Sequence, residues 1–134
     1  HMAMTGTPII GTNLFTHTPE ELELIRENVA LYKEIRETIQ NGALYRIASA
    51  YRHPYAAFEY VRGDAGEAVL IVLGQSIQFR RPIPRLRMRG LEPDALYRVN
   101  GGKALSGRAL MQVGVAVDLV SDFDSKLYRI ERQA

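Results

Sequence analysis

Hydrophobic positions in this chain change period once, and that change divides it. From Thr18 onward, Leu22, Ile25, Val29, Tyr32 and Ile39 recur at helical spacing. Thr18-Pro19-Glu20-Glu21 predicts the start, with Thr18 as cap, Pro19 where a missing N–H costs nothing, and Glu21 closing a capping box. Asn41-Gly42 predicts the end, as a pair able to turn left-handed. Leu24, Leu31 and Ile35 form a second apolar edge. Together the two rows cover roughly half the circumference, wider than the stripe of about 100° that one packing partner requires. The helix is therefore expected to have two partners.

After Gly42 the period falls to two. Leu44–Ala48 and Ala57–Arg62 read as strands, and Gly63-Asp64-Ala65-Gly66 as a hairpin connection. Glu67 to Leu73 is nearly continuous apolar sequence and predicts a central strand buried on both faces, with Val69 and Ile71 inside. Further short strands are expected at Ile77–Phe79, Leu86–Arg89, Leu96–Val99, Leu110–Val113, Ala116–Val120 and Leu127–Arg132. Turn residues punctuate them, notably Glu92-Pro93-Asp94-Ala95 and Asn100-Gly101-Gly102. The fold class is mainly β: one long N-terminal α-helix followed by an antiparallel Greek-key β-sandwich. Residues 1–17 form an irregular lead-in, and His1-Met2 reads as a cloning scar.

Composition narrows the function classes. The 134 residues include no cysteine, which excludes disulfides, thiol nucleophiles and cysteine-ligated metal, and fits a reducing, cytoplasmic setting. No apolar run reaches membrane length and no secretory signal is evident, so no membrane partner is expected. A net charge of +2 does not argue for nucleic acid. No cofactor is expected. His17 and His53 read as surface loop residues. Asp118, Asp122 and Asp124 sit close together, but Ser121-Asp122-Phe123-Asp124-Ser125 is turn chemistry, since these side chains bond their own backbone. Alternation puts Arg85, Arg87 and Arg89 on one strand face, which could meet phosphates but reads first as a solvated face, one paired with Glu59, Glu67 or Glu92, or an interface to a missing domain. No catalytic residue is assigned. Tyr51, Tyr55 and Tyr60 are the candidates for stacking on a sugar, and Leu24, Leu31 and Ile35 for an interface.

The order and spacing of several segments resemble a known family. Leu31-Tyr32-Lys33-Glu34-Ile35-Arg36, Gly42 and Leu44-Tyr45-Arg46 are similar to the end of the catalytic barrel in microbial α-galactosidases of glycoside hydrolase family 36. So are Leu86 to Asp94, Tyr97-Arg98-Val99, Asp122-Phe123-Asp124-Ser125 and Leu127-Tyr128-Arg129 in the domain that follows. The resemblance implies that residues 18–42 are the last helix of a (β/α)₈ barrel and 43–134 a C-terminal β-sandwich. It also implies that the aspartates of a retaining hydrolase lie upstream, in a missing barrel of the same chain. The expected function is then a non-catalytic accessory domain of a larger α-galactosidase-like hydrolase, able to self-associate through its bared helix edge. The alternative is a stand-alone carbohydrate-binding β-sandwich module.

Overall fold

The computed structural model describes residues 1–77 and 83–134. Helix α1 (Pro19–Asn41) begins as its sequence dictates. The Thr18 side chain accepts the Glu21 N–H at 3.3 Å, and the Glu21 carboxylate accepts the Thr18 N–H at 2.9 Å. It ends at Gly42 for a different reason than expected. Gly42 is extended (φ −77°, ψ 162°), not left-handed. A Cβ there would run into the carbonyls of Thr38 and Val61, so the glycine permits close approach of the helix end to the sheet.

Six antiparallel strands follow: β1 (Ala43–Ala48), β2 (Tyr55–Val61), β3 (Glu67–Gly74), β4 (Leu96–Val99), β5 (Ala104–Ser106) and β6 (Ser125–Arg132). Their spatial order is β1-β2-β3-β6-β4-β5. The hairpin between β2 and β3 places Ala65 at φ 50°, where the Ala65 N–H reaches the Arg62 carbonyl and Asp64 accepts the Gly66 N–H. In register, Phe58 faces Ile71 and Tyr60 faces Val69, while Val69 faces Arg129 on the far side. Val69 and Ile71 are fully buried on this central strand.

Each face of the sheet has its own core. On one face Ala57, Val61, Leu70, Val72, Tyr97 and Ile130 pack beneath the long connections. Those connections carry Leu86, Met88 and Leu91 on one side and Leu110, Val115 and Leu119 on the other. Leu86 and Val115 exchange both N–H···O bonds, at 2.9 and 2.8 Å, in an isolated bridge. Leu86–Arg89 and Ala116–Val120, expected as strands, thus form no regular strand, and among the described residues pairing in this layer is the single Leu86–Val115 bridge.

Of Leu110–Val113, expected as a strand, the first three residues lie in helix α2 (Gly107–Gln112) instead, and Val113 is its C-cap. Ser106 caps it by accepting the Ala109 N–H, and a short apolar run cannot by itself distinguish helix from strand. Ile77 lies outside any strand, and the rest of the strand expected at Ile77–Phe79 lies outside the described residues. On the opposite face Tyr60, Val69 and Ile71 meet Tyr32, Ile35 and Ile39 of α1, together with Met4. Among the described residues no helix is long and apolar enough to cross a membrane.

Candidate functional site: the outer face of the long helix

Only the second half of α1 rests on the sheet. Tyr32, Ile35, Thr38 and Ile39 are buried, whereas Leu22, Ile25 and Val29 are half-buried. Thr38 breaks the apolar row in sequence yet is buried, because its hydroxyl donates to Glu67 at 3.0 Å. Glu67 in turn accepts from Arg129 at 3.2 Å, and the same guanidinium reaches Glu34 at 3.0 Å and Glu131 at 3.2 Å. This polar latch joins helix to sheet. Apolar spacing could not reveal it; a threonine in a helical core row and an acid opening an apolar strand were its only signals.

The three helix residues proposed as an open edge separate. Leu24 is 60% exposed and Leu31 is partly buried. Ile35 is fully buried on the chain's own sheet, which corrects its assignment to the edge. Residues 32, 35 and 39 make the sheet-facing row, so the row Leu22–Ile25–Val29 runs past the sheet instead of onto it.

The lead-in covers part of that overhang. Residues Met2–Thr5 form a 3₁₀ turn whose Met4 is buried. Tyr32 donates its hydroxyl to the Gly6 carbonyl at 2.8 Å, and Tyr60 donates to that of Thr5 at 2.9 Å. Although His1 was set aside as a scar, its ring contacts Ser125 at 2.8 Å. Beyond Gly6 the cover opens into a groove of about 670 Å³, walled by Pro8, Ile9 and Ile10 on one side and Leu24, Ile25 and Val29 on the other. Ile9, Ile10, Leu14, Phe15 and Leu24 are all exposed, and Ile9, Ile10 and Leu24 line the groove as an apolar band.

The tyrosines do not assemble a platform. Tyr51 is fully exposed, while Tyr55 and Tyr60 are buried on opposite faces of β2. Burial pushes both of their hydroxyl pKa values up. The aspartates make the expected turn. Asp124 accepts the N–H groups of Val120 and Ser125, which hold its carboxyl below the usual range, and Asp122 accepts that of Ile77. Among the described residues no group of three or more acidic or histidine side chains is placed to hold a metal.

Glu59 was a sequence candidate for pairing with the arginine stripe. Instead it is fully buried and accepts the backbone N–H of Arg89 at 2.8 and 3.2 Å. Burial pushes its carboxyl up to about 8, opposed by that hydrogen bond and by the Arg89 charge. Glu67 likewise serves Arg129 and Thr38, not the stripe.

Fold and surface together define a two-faced β module: a core beneath the long connections on one face of the sheet, and on the other a helix that overhangs it. Residues 55–130 match the model of the glycosyl hydrolase family 36 C-terminal domain. The chain belongs to that family, as its C-terminal domain. It is 30% identical over 132 residues to the α-galactosidase AgaA of Geobacillus stearothermophilus, covering 98% of this chain and 18% of that protein. It is 32% identical over 134 residues to a probable α-galactosidase C of Aspergillus terreus, again over 98% of this chain and 18% of the relative. The crystal structure of the family 36 α-galactosidase AgaB from Geobacillus stearothermophilus superposes with a TM-score of 0.91 at 31% identity, covering 98% of this chain and 18% of that one. The chain thus spans under a fifth of the length of these relatives.

Proposed function

We propose that this chain is a non-catalytic accessory domain of a larger hydrolase that cleaves terminal α-galactosides with retention. In this reading residues 18–42 are the last helix of the catalytic barrel, and residues 43–134 buttress it. One observation carries the reading: relatives named α-galactosidases align over 98% of this chain, α1 included, within a segment amounting to 18% of their length. The exposed band from Ile9 to Leu24 supports it as the surface that the barrel would cover. The chain alone should not hydrolyse an aryl α-galactoside. Turnover well above buffer that vanishes in Asp122→Ala or Asp124→Ala protein would overturn the reading.

Without the barrel, the same band is available to a second copy. Burying Leu24 and its exposed neighbours is worth roughly 1.5–3 kcal/mol per large side chain before entropy costs. We expect concentration-dependent dimers by light scattering, and a strict monomer at millimolar protein would refute self-association. Cytoplasmic residence, suggested by the cysteine-free sequence, is checked by cell fractionation.

A further inference from the structure

The connection that seals the closed face also builds a second concavity, remote in sequence from the helix. A pocket of about 430 Å³ lies between the end of β1, the loop after it, and residues 84–89. Its lining includes Ile47, Tyr55 and Met111, and the exposed Arg85, Arg87 and Arg89 make up a basic margin. His53 stacks on Tyr55 with ring centroids 5.4 Å apart.

Two features distinguish this margin from an ordinary solvated basic stripe. The first is that its backbone is pinned. Leu86 is bridged to Val115, the Met88 N–H donates to the Leu110 carbonyl at 3.1 Å, and the Arg89 N–H is held by buried Glu59. The arginine side chains therefore leave a fixed frame, which lowers the ordering cost of engaging a ligand. The second is that the three guanidinium groups make no close ion pair. Among the described residues no carboxylate lies within 4.0 Å of the guanidinium of Arg85, Arg87 or Arg89. Arg85 spends its Nε on the Gly114 carbonyl, at 3.1 Å, which orients the planar group. Buried Glu59 accepts the Arg89 backbone N–H and feels the Arg89 charge, but burial keeps its carboxyl from ionising readily.

We propose that this pocket binds a phosphate dianion, carried by a small phosphorylated molecule whose body lies against Tyr55 and Met111, or arriving as free phosphate. Three guanidinium groups offer more forked donors than a carboxylate's two oxygens accept, whereas phosphate presents three oxygens. The pocket is small, about 430 Å³, which suits one ring rather than a polymer strand. The proposal is independent of the reading of α1, because it involves neither the helix nor the lead-in.

Amide chemical shifts of the full chain, titrated separately with glucose 6-phosphate, inorganic phosphate and glucose, test it. Saturable shifts are expected at His53, Arg87 and Met111 with glucose 6-phosphate, weakening as salt rises, and none with glucose. Tighter binding of the ester than of inorganic phosphate identifies a phosphorylated molecule as the natural ligand; equal binding identifies free phosphate. Arg87→Ala, an exposed position, should weaken affinity at least about tenfold, the loss expected for one charge-assisted contact. Arg132→Ala, elsewhere on the surface, should leave affinity unchanged. Absence of saturation, shifts spread evenly over basic residues, or equal affinity in Arg87→Ala protein would each overturn the proposal.

Discussion

The two faces of the sheet solve the same burial problem by different means. Beneath the connections, the core is closed by residues far apart in sequence: Leu86 and Met88 from one long crossover, Leu110 and Val115 from another. Beneath α1, the core uses one helix, but only from Tyr32 to Ile39, and the helix then leaves the sheet with its apolar row still running. The closed face satisfies itself, whereas the helical face ends in an exposed band. That asymmetry is what the proposed docking of further protein onto the helical face rests on.

The comparison breaks most sharply at β3, which serves both faces. Val69→Asp would bury a carboxylate opposite Arg129, whose guanidinium is already engaged by Glu34, Glu67 and Glu131, and should destabilise the chain by about 4 kcal/mol or more. Loss of the cooperative thermal transition, or its displacement by tens of degrees, is the expected readout. A soluble variant melting with the wild type would show that β3 is not central. Next comes Leu70→Ala, which opens a cavity on the closed face and should cost about 2–5 kcal/mol in denaturant titration. Ile35→Ala on the helical face should fall in the same range, because Ile35 is equally buried. A cost under about 1 kcal/mol there would mean that the helix is not fixed to the sheet.

Glu59 supplies a pH test that belongs to the closed face alone. Its folded carboxyl titrates at about 8, against an ordinary value of 4.5, because burial penalises the charged form. Below about pH 4.5 the group is protonated in both states and contributes nothing. As pH rises toward 8 the unfolded chain loses this proton while the native state keeps it, so stability falls across that window and levels off above it. Glu59→Gln should flatten that slope while keeping an acceptor for the Arg89 N–H. An unchanged slope between pH 5 and 8 would show that Glu59 is not the group responsible.

Most of the scaffold was legible because it rests on local rules. The capping box at Thr18 and Glu21, the alternation at Leu96–Val99 and the apolar run of β3 each predicted their element. What escaped were pairings without periodicity. Glu34, Glu67 and Arg129 come from three distant segments, and no spacing joins them. Tyr60, a sequence candidate for stacking on a sugar, is buried instead and gives its hydroxyl to a carbonyl of the lead-in. Leu110–Val113 failed for a different reason: four residues cannot establish a period, and the Ser106 cap decided for helix. The open edge of α1 was half legible. Its excess width followed from the sequence, but Thr38 hid which row faced inward, so Ile35 was placed on the wrong side.

The smallest stability effect is expected at Leu24, and it discriminates best between the faces. Leu24 is 60% exposed, so its replacement by glutamate forfeits little native contact and leaves no cavity. Helix propensity hardly changes, because leucine and glutamate are both good formers. The unfolding free energy should therefore stay within about 0.5 kcal/mol of wild type. Association should behave differently. Any partner seated in the groove between Ile9 and Leu24 would have to bury the new carboxylate without a counterion, a large penalty at an apolar contact. Sedimentation velocity should show the Leu24→Glu chain monomeric at concentrations where the wild type dimerises, with identical melting curves under monomeric conditions. If Leu24→Glu lowered stability by several kcal/mol, the residue would belong to the chain's own core and the overhang would be closed. If it left dimerisation intact, the exposed band would not be the contact surface.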